Sequence, residues 1–447
     1  TGVRPHKNSI NNYCYPENPE AGIDLFLEKL VQETEKEHED ILEQADETDA
    51  MFGELYSWYL RNPEYRSRVQ KLVQSAFAGK PEDIISQSVA KALYGEVSPY
   101  SATRLERFAA CAFAHFLQYG MKLTERVEYE FKPMDMGNVM HEALESFAEE
   151  VRKRGMKWTE LTEQERNEIA DRCLDNIVAD YGNTVLKSSA RNEYMIERTR
   201  RILRRTVWAL QKQLEQGEFQ PEGFEVTFGG GRIDRVDIME DQNKVYVKVI
   251  DYKTGNTSFD LVYLYHGLQL QLMIYLDGAL RVEQKKYPDK EIIPAGVFYY
   301  NIKDPMIQEK IDADVEAVSA GLMKELKMNG LVQADPELVY RMDSSLGSIP
   351  VAFNKDGSFR KNSSVADRTQ FAVLGRYVRT KIEKIRNSIL EGDAEVSPYE
   401  LGKKNACTYC PYMTVCGFDR RLSGYEFRRL KNFSDEELWK AFDREAE

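Results

Sequence analysis

Hydrophobic and polar residues alternate along two adjoining stretches near the middle of the chain, which predicts two neighbouring β-strands. In VYVKVIDYK, the side chains of Val245, Val247, Val249, Asp251 and Lys253 fall on one face of the strand. An apolar row therefore runs directly into a carboxylate and an ammonium. Burying an unpaired carboxylate costs several kcal/mol, so this pattern predicts a cation or counter-charge at the end of the row.

The preceding stretch, RIDRVDI, repeats the pattern, because Asp234 shares a face with Val236 and Ile238. We expect the carboxylates of Asp234 and Asp251, at the ends of neighbouring strands, to converge on one point.

Apolar residues recur at three- and four-residue spacing around His141, which predicts an amphipathic helix. The apolar positions are Val139, Met140, Ala143, Leu144, Phe147 and Val151. His141 lies beside this stripe. An imidazole and two carboxylates form a mostly oxygen site, which suits Mg²⁺ or Mn²⁺ better than a metal that prefers thiolates.

The chemistry expected of such a site is metal-assisted phosphodiester hydrolysis. A bound metal would lower the pKa of a water molecule and offset charge on the phosphate, and Lys253 would orient the attacking water or stabilise the transition state. Gln271 and Tyr275 stand at i and i+4 and share one helical face. We expect them to contact the DNA strand near the scissile bond.

Four of the six cysteines form a second candidate site. Cys407, Cys410 and Cys416 lie close together in CTYCPYMTVC, and Cys111 lies almost three hundred residues upstream. Three thiols are one ligand short of a closed four-thiolate site, so a distant fourth would join the two ends of the intervening segment. Spacing alone does not separate zinc from an iron-sulfur cluster. Cys14 and Cys173 are interpreted as small buried hydrophobic residues.

The fold expected around these sites is a mixed α/β domain, a small mixed sheet flanked by helices. Residues 1–95 are predicted to be a helical segment, residues 96–420 the main domain, and residues 421–447 a C-terminal helical tail. No apolar run approaches the length of a membrane span, so we expect a cytoplasmic protein. The start at Thr1 rather than Met indicates a fragment.

The formal net charge of -13 argues against a protein that is basic over its whole surface, so any DNA contact must be local. One candidate is a helical face with Arg198, Arg201 and Arg205; the alternative is a merely solvated helix face. No GxxxxGK[ST] sequence occurs, so we expect no ATP hydrolysis by this chain alone.

Taken together, the motifs resemble the RecB-family nuclease domain with an iron-sulfur staple. The resemblance rests on SATRLERFAACAFAHF, the helix with His141, GRIDRVD, VIDYKTG, QLMIY and CTYCPYMTVC. It is strongest to the C-terminal part of AddB-type chains of bacterial helicase-nucleases and covers roughly residues 96–420.

The resemblance implies a PD-(D/E)XK nuclease core that cuts one DNA strand during the processing of double-strand breaks, with an AddA-like subunit as partner. It implies that Cys111, Cys407, Cys410 and Cys416 hold a [4Fe-4S] cluster. It further implies that His141, Asp234, Asp251 and the main-chain carbonyl of Tyr252 bind Mg²⁺ or Mn²⁺. Lys253 would be the catalytic lysine, and Gln271 and Tyr275 the motif that follows it.

Two features leave alternatives open. The connection FEVTFGGGRID is short where relatives carry a further strand and turn, so Glu225 is assigned no role. The fold would also suit a catalytically silent module that binds DNA ends or a partner, or a free-standing exonuclease of the CRISPR-associated type. The intact His141, Asp234, Asp251 and Lys253 argue against a silent module.

Overall fold

The structure, a computed structural model, describes a set of ranges that together include every candidate site residue. They are residues 23, 26–27, 47–76, 84–95, 101–124, 133–180, 189–229, 231–307, 314–421 and 424–446. Cys14 and most of the first 46 residues lie outside the described part.

A six-stranded mixed sheet forms the centre of the molecule, with its strands in the order β1-β2-β3-β4-β5-β6. The strands are β1 (Gln220–Phe228), β2 (Gly231–Asp241), β3 (Lys244–Lys253), β4 (Glu291–Asn301), β5 (Asn329–Gln333) and β6 (Val365–Ala366). Strands β1, β2 and β3 are antiparallel, β3 and β4 are parallel, β4 and β5 are antiparallel, and β5 and β6 are parallel. The prediction of a mixed sheet flanked by helices is confirmed.

Helices surround this sheet. In chain order they are α1 (Glu47–Arg61), α2 (Pro63–Ala76), α3 (Gln87–Tyr94), α4 (Ala102–Ala110), α5 (Ala112–His115), α6 (Pro133–Lys153), α7 (Glu163–Asp180), α8 (Ala190–Glu215), α9 (Leu261–Tyr265), α10 (Gln271–Lys286), α11 (Val315–Glu325), α12 (Pro336–Met342), α13 (Arg368–Glu391), α14 (Met413–Cys416) and α15 (Asp435–Ala446).

Strand β3 is buried on both faces, which explains its almost uninterrupted apolar sequence. Val245, Val247 and Val249 pack into one core with α4, α10, α13 and α15. Tyr246 and Ile250 pack into another core with α6, α7 and α8. The sheet is therefore the middle of three layers, and the row that ends in Asp251 faces the α10 side.

The C-terminal helix α15 is part of the α10-side core, because Phe442 is fully buried there. Helices α1 and α2 form a small core of their own around Phe26, Leu55 and Tyr59. None of the helices in the described ranges combines the length and the apolar character that crossing a membrane requires.

Two short elements lie at the cysteine end of the molecule. Helix α5 continues into a π-helical turn, Phe116–Gly120. A three-stranded sheet is formed by β7 (Tyr399–Leu401), β8 (Lys404–Asn405) and β9 (Arg428–Arg429), in the order β8-β7-β9.

Candidate active site and cysteine cavity

His141, Glu225 and Asp234 come together where α6 crosses the ends of β1 and β2. Residues 224 and 226 of β1 pair with residues 235 and 233 of β2, so Glu225 lies opposite Asp234. The Nδ1 atom of His141 is 3.4 Å from Oδ2 of Asp234 and 3.8 Å from Oε1 of Glu225. Two carboxylates directly opposite each other repel, and the imidazole between them offsets that repulsion.

The charge on His141 depends on these two neighbours. Burial disfavours the protonated imidazole, but hydrogen bonds and opposite charge from Asp234 and Glu225 outweigh it and raise the pKa of His141 to about 10. The imidazolium fills the place that a divalent cation would take between the two carboxylates.

Tyr252 joins the two catalytic strands through its main chain. Its backbone N–H donates a 2.7 Å hydrogen bond to Oδ2 of Asp234, which fixes the orientation of that carboxylate. The Tyr252 ring is fully buried and packs edge-on against His141, with 6.0 Å between ring centroids. The proposed role of its carbonyl as a metal ligand stays a prediction.

Asp251 is 1 % exposed, and its Oδ2 atom lies 2.5 Å from Nζ of Lys253. This oxygen accepts no hydrogen bond of good geometry in spite of that approach. Burial and the charge of Asp234 raise the pKa of Asp251 to about 7, while Lys253 opposes the rise. The carboxylate is therefore short of positive charge, as expected of a ligand for a cation.

Lys253, Gln271 and Tyr275 form a hydrogen-bonded chain. Nζ of Lys253 donates to Oε1 of Gln271 over 2.8 Å, and Nε2 of Gln271 donates to the Tyr275 hydroxyl over 2.9 Å. Since the lysine only donates, it fixes which end of the Gln271 amide faces it. The sequence pairing of these residues at i and i+4 is reproduced, and the chain extends it to Lys253.

Glu106 is a residue of this site that the sequence analysis missed. Helix α10 begins after Leu270, whose side chain makes no capping hydrogen bond. Instead Oε1 of Glu106 accepts the backbone N–H groups of Leu270 and Gln271, at 2.7 and 2.9 Å. A buried carboxylate from a distant helix thus caps the helix that carries Gln271 and Tyr275.

Burial raises the pKa of Glu106 to about 7, although the two N–H groups and the charge of Lys253 hold it down. Glu106 lies in α4, five residues before Cys111, so one helix joins the active site to the cysteine end. The signal that points to it is a glutamate on the apolar side of a strongly amphipathic segment.

Glu225 was assigned no role from the sequence, but its side chain is only 6 % exposed and faces His141. Its backbone has a φ of +48°, in the left-handed region that a residue with a side chain adopts at a cost of about 1–3 kcal/mol. Arg232, on the paired strand, forms an ion pair with the same carboxylate. The strained backbone turns Glu225 toward the site in spite of the short connection after it.

The donor set fits a hard divalent cation. Within the described ranges, His141, Glu225 and Asp234 are the only three or more histidine, cysteine or acidic residues whose ligand atoms all lie within 4.8 Å of one another. Asp251 lies outside that group but close enough for the charge of Asp234 to affect its pKa. Oxygen donors with one imidazole suit Mg²⁺ or Mn²⁺.

The four predicted cysteines meet at the other end of α4. They line a cavity of about 20 Å³ together with apolar side chains; we call it the cysteine cavity, and its thiols are Cys111, Cys407, Cys410 and Cys416. Burial and the three neighbouring thiols raise the pKa of Cys407 to about 12. The backbone N–H of Phe418 points at Sγ of Cys416 over 3.5 Å. Cys173 is buried within α7, as predicted for a small hydrophobic residue.

The basic face predicted on α8 is partly engaged within the protein. Arg201 donates to Asp304 over 2.6 Å, and the guanidinium of Arg205 lies over the ring of Trp208. Arg198 is exposed. Two of the three arginines therefore have partners in the folded chain, which weakens the expectation that this face binds DNA.

Comparison with known proteins places the chain among nucleases. Residues 99–417 match the family described as the PD-(D/E)XK nuclease superfamily. The match begins just before α4 and ends just after Cys416, so it includes both the active-site residues and all four cysteines of the cavity.

Curated relatives are named as one of the subunits of an ATP-dependent helicase/deoxyribonuclease. The chain is 41 % identical to the protein of Lachnoclostridium phytofermentans over 425 residues, which are 90 % of this chain and 36 % of that protein. It is 34 % identical to the proteins of Thermoanaerobacter sp. and Alkaliphilus metalliredigens, with 90 and 89 % of this chain and 37 % of each relative covered. The chain spans little more than a third of the length of these relatives.

Proposed function

Because the chain belongs to the PD-(D/E)XK nuclease superfamily, we propose that it is the nuclease part of an AddAB-type helicase-nuclease. In this role it is a metal-dependent DNA exonuclease that cuts one strand while broken ends are processed for recombination. The observation that carries the proposal is the buried Asp251 carboxylate, short of positive charge and 2.5 Å from Lys253 Nζ, beside the group of His141 and Asp234.

His141, Asp234 and Asp251 would hold the Mg²⁺ or Mn²⁺ ion, with the carbonyl of Tyr252. Glu225 is well placed to join them, since it shares the Nδ1 side of His141 with Asp234. When bound, the ion supplies a water of lowered pKa and positive charge beside the phosphate. His141 would then give up its proton, because a metal ligand must be the neutral imidazole.

Lys253 orients the attacking water and stabilises charge on the phosphate. Its Nζ has Asp251 on one side and the Gln271 carbonyl oxygen on another, and these two acceptors hold the ammonium in one place. A fixed cation needs no reorganisation when negative charge develops on the phosphate oxygens. Gln271 and Tyr275 support this position and lie on the side of α10 from which they contact the DNA strand.

The cysteine cavity would hold a [4Fe-4S] cluster as a structural staple. Zinc is the rival. A tetrahedral zinc ion with bonds of about 2.3 Å needs sulfur atoms about 3.8 Å apart. No three cysteine sulfurs in the described ranges lie within 4.8 Å of one another, which favours the larger group. The N–H of Phe418 directed at the Cys416 sulfur fits a thiolate ligand.

The partners follow from the same assignment. The substrate would be DNA, as a single strand or a duplex end. The names of the relatives include an ATP-dependent helicase activity, and the phosphate-binding loop GxxxxGK[ST] is absent from this sequence. An AddA-like subunit would therefore supply the motor.

A lysine exchange tests the proposal directly. Lys253→Ala in the full natural chain should abolish Mg²⁺-dependent cleavage of labelled single-stranded DNA, while Mn²⁺ binding measured by calorimetry stays close to the parent value. Lys244→Ala, at the exposed start of the same strand, is the matched control and should cleave normally. Cleavage by Lys253→Ala at the parent rate would refute the assigned centre.

A further inference from the structure

A groove runs between α10 and α13 on the side of the molecule away from α6. It consists of two adjoining cavities of about 600 and 350 Å³. Met273, Asp277, Gly375 and Arg379 line both cavities, so the two form one continuous feature. We call it the α10–α13 groove.

Positive charge is concentrated along this groove. Arg368, Arg376, Arg379 and Arg386 of α13 line it and fall within about 80° of one another around the helix. Arg281 and Lys285 of α10 add two cations. On a chain of net charge -13, six cations along one groove are a local exception to the charge of the whole.

The only carboxylate among the lining residues of the two cavities is Asp277. It is shared, since Arg379 lies 2.9 Å and Arg281 2.8 Å from its two oxygens. At the end of the row, Arg368 pairs with Glu291, which lies outside the cavity lining. Two carboxylates cannot neutralise six cations, and the groove is left with an excess of positive charge.

The floor of the groove is apolar. Leu105, Phe228, Met273, Ile274, Val378 and Ile382 line the larger cavity beneath the cations. Apolar and aromatic surface below a row of cations is the combination that binds single-stranded nucleic acid, because the bases pack on the surface and the phosphates pair with the cations. A neutral protein surface would match the floor and leave the cations unpaired.

The groove shares a wall with the active site. The ring of Phe228 packs edge-on against Tyr275, with 5.9 Å between centroids. Gly278 lets this ring lie directly on α10, because a Cβ atom there would come within 2.7 Å of it. Leu105 lines the groove, and the next residue, Glu106, caps α10. A strand in the groove would therefore pass within one side chain of Tyr275.

We propose that the α10–α13 groove binds the backbone of a single DNA strand beside the active site. The proposal rests on the proposed nuclease function and adds a strand-binding subsite to it. The row from Arg368 to Arg386 is about 27 Å long at 1.5 Å per residue, which accommodates at most about eight stacked nucleotides.

The test is a charge-neutralising triple variant, Lys285→Gln, Arg376→Gln and Arg379→Gln, in the full natural chain. The probe is a fluorescent single-stranded oligonucleotide, titrated by anisotropy at several salt concentrations. Three lost phosphate contacts should reduce the slope of log K against log salt by about 2. In cleavage assays the KM for DNA should rise, with kcat close to the parent value.

A matched control carries the same change in net charge elsewhere. Lys153→Gln, Lys324→Gln and Lys355→Gln are all exposed and lie outside the groove. This triple variant should keep the parent salt slope and KM. If the groove variant unfolds, the single exchange Arg376→Glu at an exposed position serves instead and should shift both quantities in the same direction.

The outcomes separate the groove from the function. A parent protein that cleaves DNA, with a groove variant of unchanged slope and KM, would overturn the groove proposal and leave the nuclease assignment intact. A parent that neither binds nor cleaves DNA would overturn the nuclease assignment first. Loss of a protein partner from the groove variant, with DNA binding unchanged, would make this face a protein interface and overturn the proposal.

Discussion

The active-site centre and the cysteine cavity lie at the two ends of the same helix, α4, but they balance their ligand groups in different ways. At the centre, the carboxylates of Asp234 and Glu225 share His141, and Asp251 has Lys253 beside it. The protein itself supplies positive charge to each carboxylate. In the cavity, four thiols face one another and apolar side chains.

This difference has a physical consequence for what each ligand does. The centre sits on a sheet that is buried on both faces, so it holds its shape whether or not a cation is present. The cavity lies among short elements: α5, α14 and the small sheet of β7, β8 and β9. We expect loss of the metal at the centre to remove activity, and loss of the group in the cavity to remove structure.

The largest expected effect is on stability, from Cys407→Ala. A cross-link between Cys111 and Cys407 closes a loop of nearly three hundred residues, and the loop-closure argument used for disulfides gives about 5 kcal/mol for such a loop. The variant should lose iron and visible absorption, and the segment around β7–β9 should become sensitive to limited proteolysis. Cys173→Ala, in the buried face of α7, is the control and should keep its iron and absorption.

Two results would contradict this side of the comparison. A Cys407→Ala protein without iron that keeps the parent's protease resistance and unfolding temperature would show that the cavity is not a staple. A colourless parent with one zinc per chain would replace the cluster with a zinc site.

The next effect is on activity, from Asp251→Ala. Loss of a metal ligand should lower the cleavage rate by at least about a thousandfold. The unfolding temperature should stay near the parent value, because burial already disfavours the charged form of Asp251 and raises its pKa to about 7. Single-turnover cleavage and thermal unfolding measure the two quantities, with Asp289→Ala in the turn before β4 as the control. Large destabilisation without loss of rate would reverse the comparison.

A smaller effect concerns pH, through Glu106. Its pKa is about 7 in the folded protein and near 4.5 when unfolded. The folded state therefore binds the extra proton between pH 4.5 and 7, and stability falls as pH rises through that window, by up to about 3 kcal/mol. Glu106→Gln should flatten this dependence, while its amide oxygen still accepts the N–H groups of α10. Urea unfolding at pH 5 and pH 8 measures the difference.

The controls for Glu106 are one surface exchange and one truncation. Glu316→Gln, exposed on α11, should leave the pH dependence as in the parent. Glu106→Ala should also lower kcat, because α10 loses its cap, and Glu106→Gln should restore part of that loss. An equal pH dependence in parent and Glu106→Gln would show that this carboxylate does not titrate in the window.

The smallest effect expected is from Glu225→Gln. With one carboxylate fewer beside it, His141 should have a lower pKa, which NMR titration of the metal-free protein measures. Mn²⁺ affinity should fall about tenfold, the size typical of a lost supporting ligand. Glu222→Gln, in the same strand and further from His141, is the control. Unchanged Mn²⁺ binding would return Glu225 to a purely structural role and simplify the centre to His141, Asp234 and Asp251.

Much of this centre follows from local sequence patterns. Alternation in β2 and β3 predicts which face carries Asp234, Asp251 and Lys253, because strand periodicity is set by the backbone alone. Helical periodicity does the same for His141 and for the pairing of Gln271 with Tyr275. These residues act from regular elements, where neighbours in space are fixed by spacing in sequence.

Glu106 and Glu225 depend on tertiary structure instead. Glu106 caps a helix that begins 164 residues later in the chain, and no local pattern links the two. Glu225 reaches the site through the register of β1 against β2 and a left-handed backbone, at a position where the short glycine connection suggested a deletion. Register and strain are decided by packing, so sequence periodicity does not predict them.

The capping of α10 by Glu106 has a consequence for the order in which the chain folds during synthesis. Every side chain of the centre, from Glu106 to Tyr275, leaves the ribosome before Cys407 is made, and the helix that needs a distant cap follows the residue that provides it. The centre can therefore assemble on the nascent chain. The last three cysteines arrive some 130 residues later, so closing the cavity marks the completion of the domain rather than its beginning.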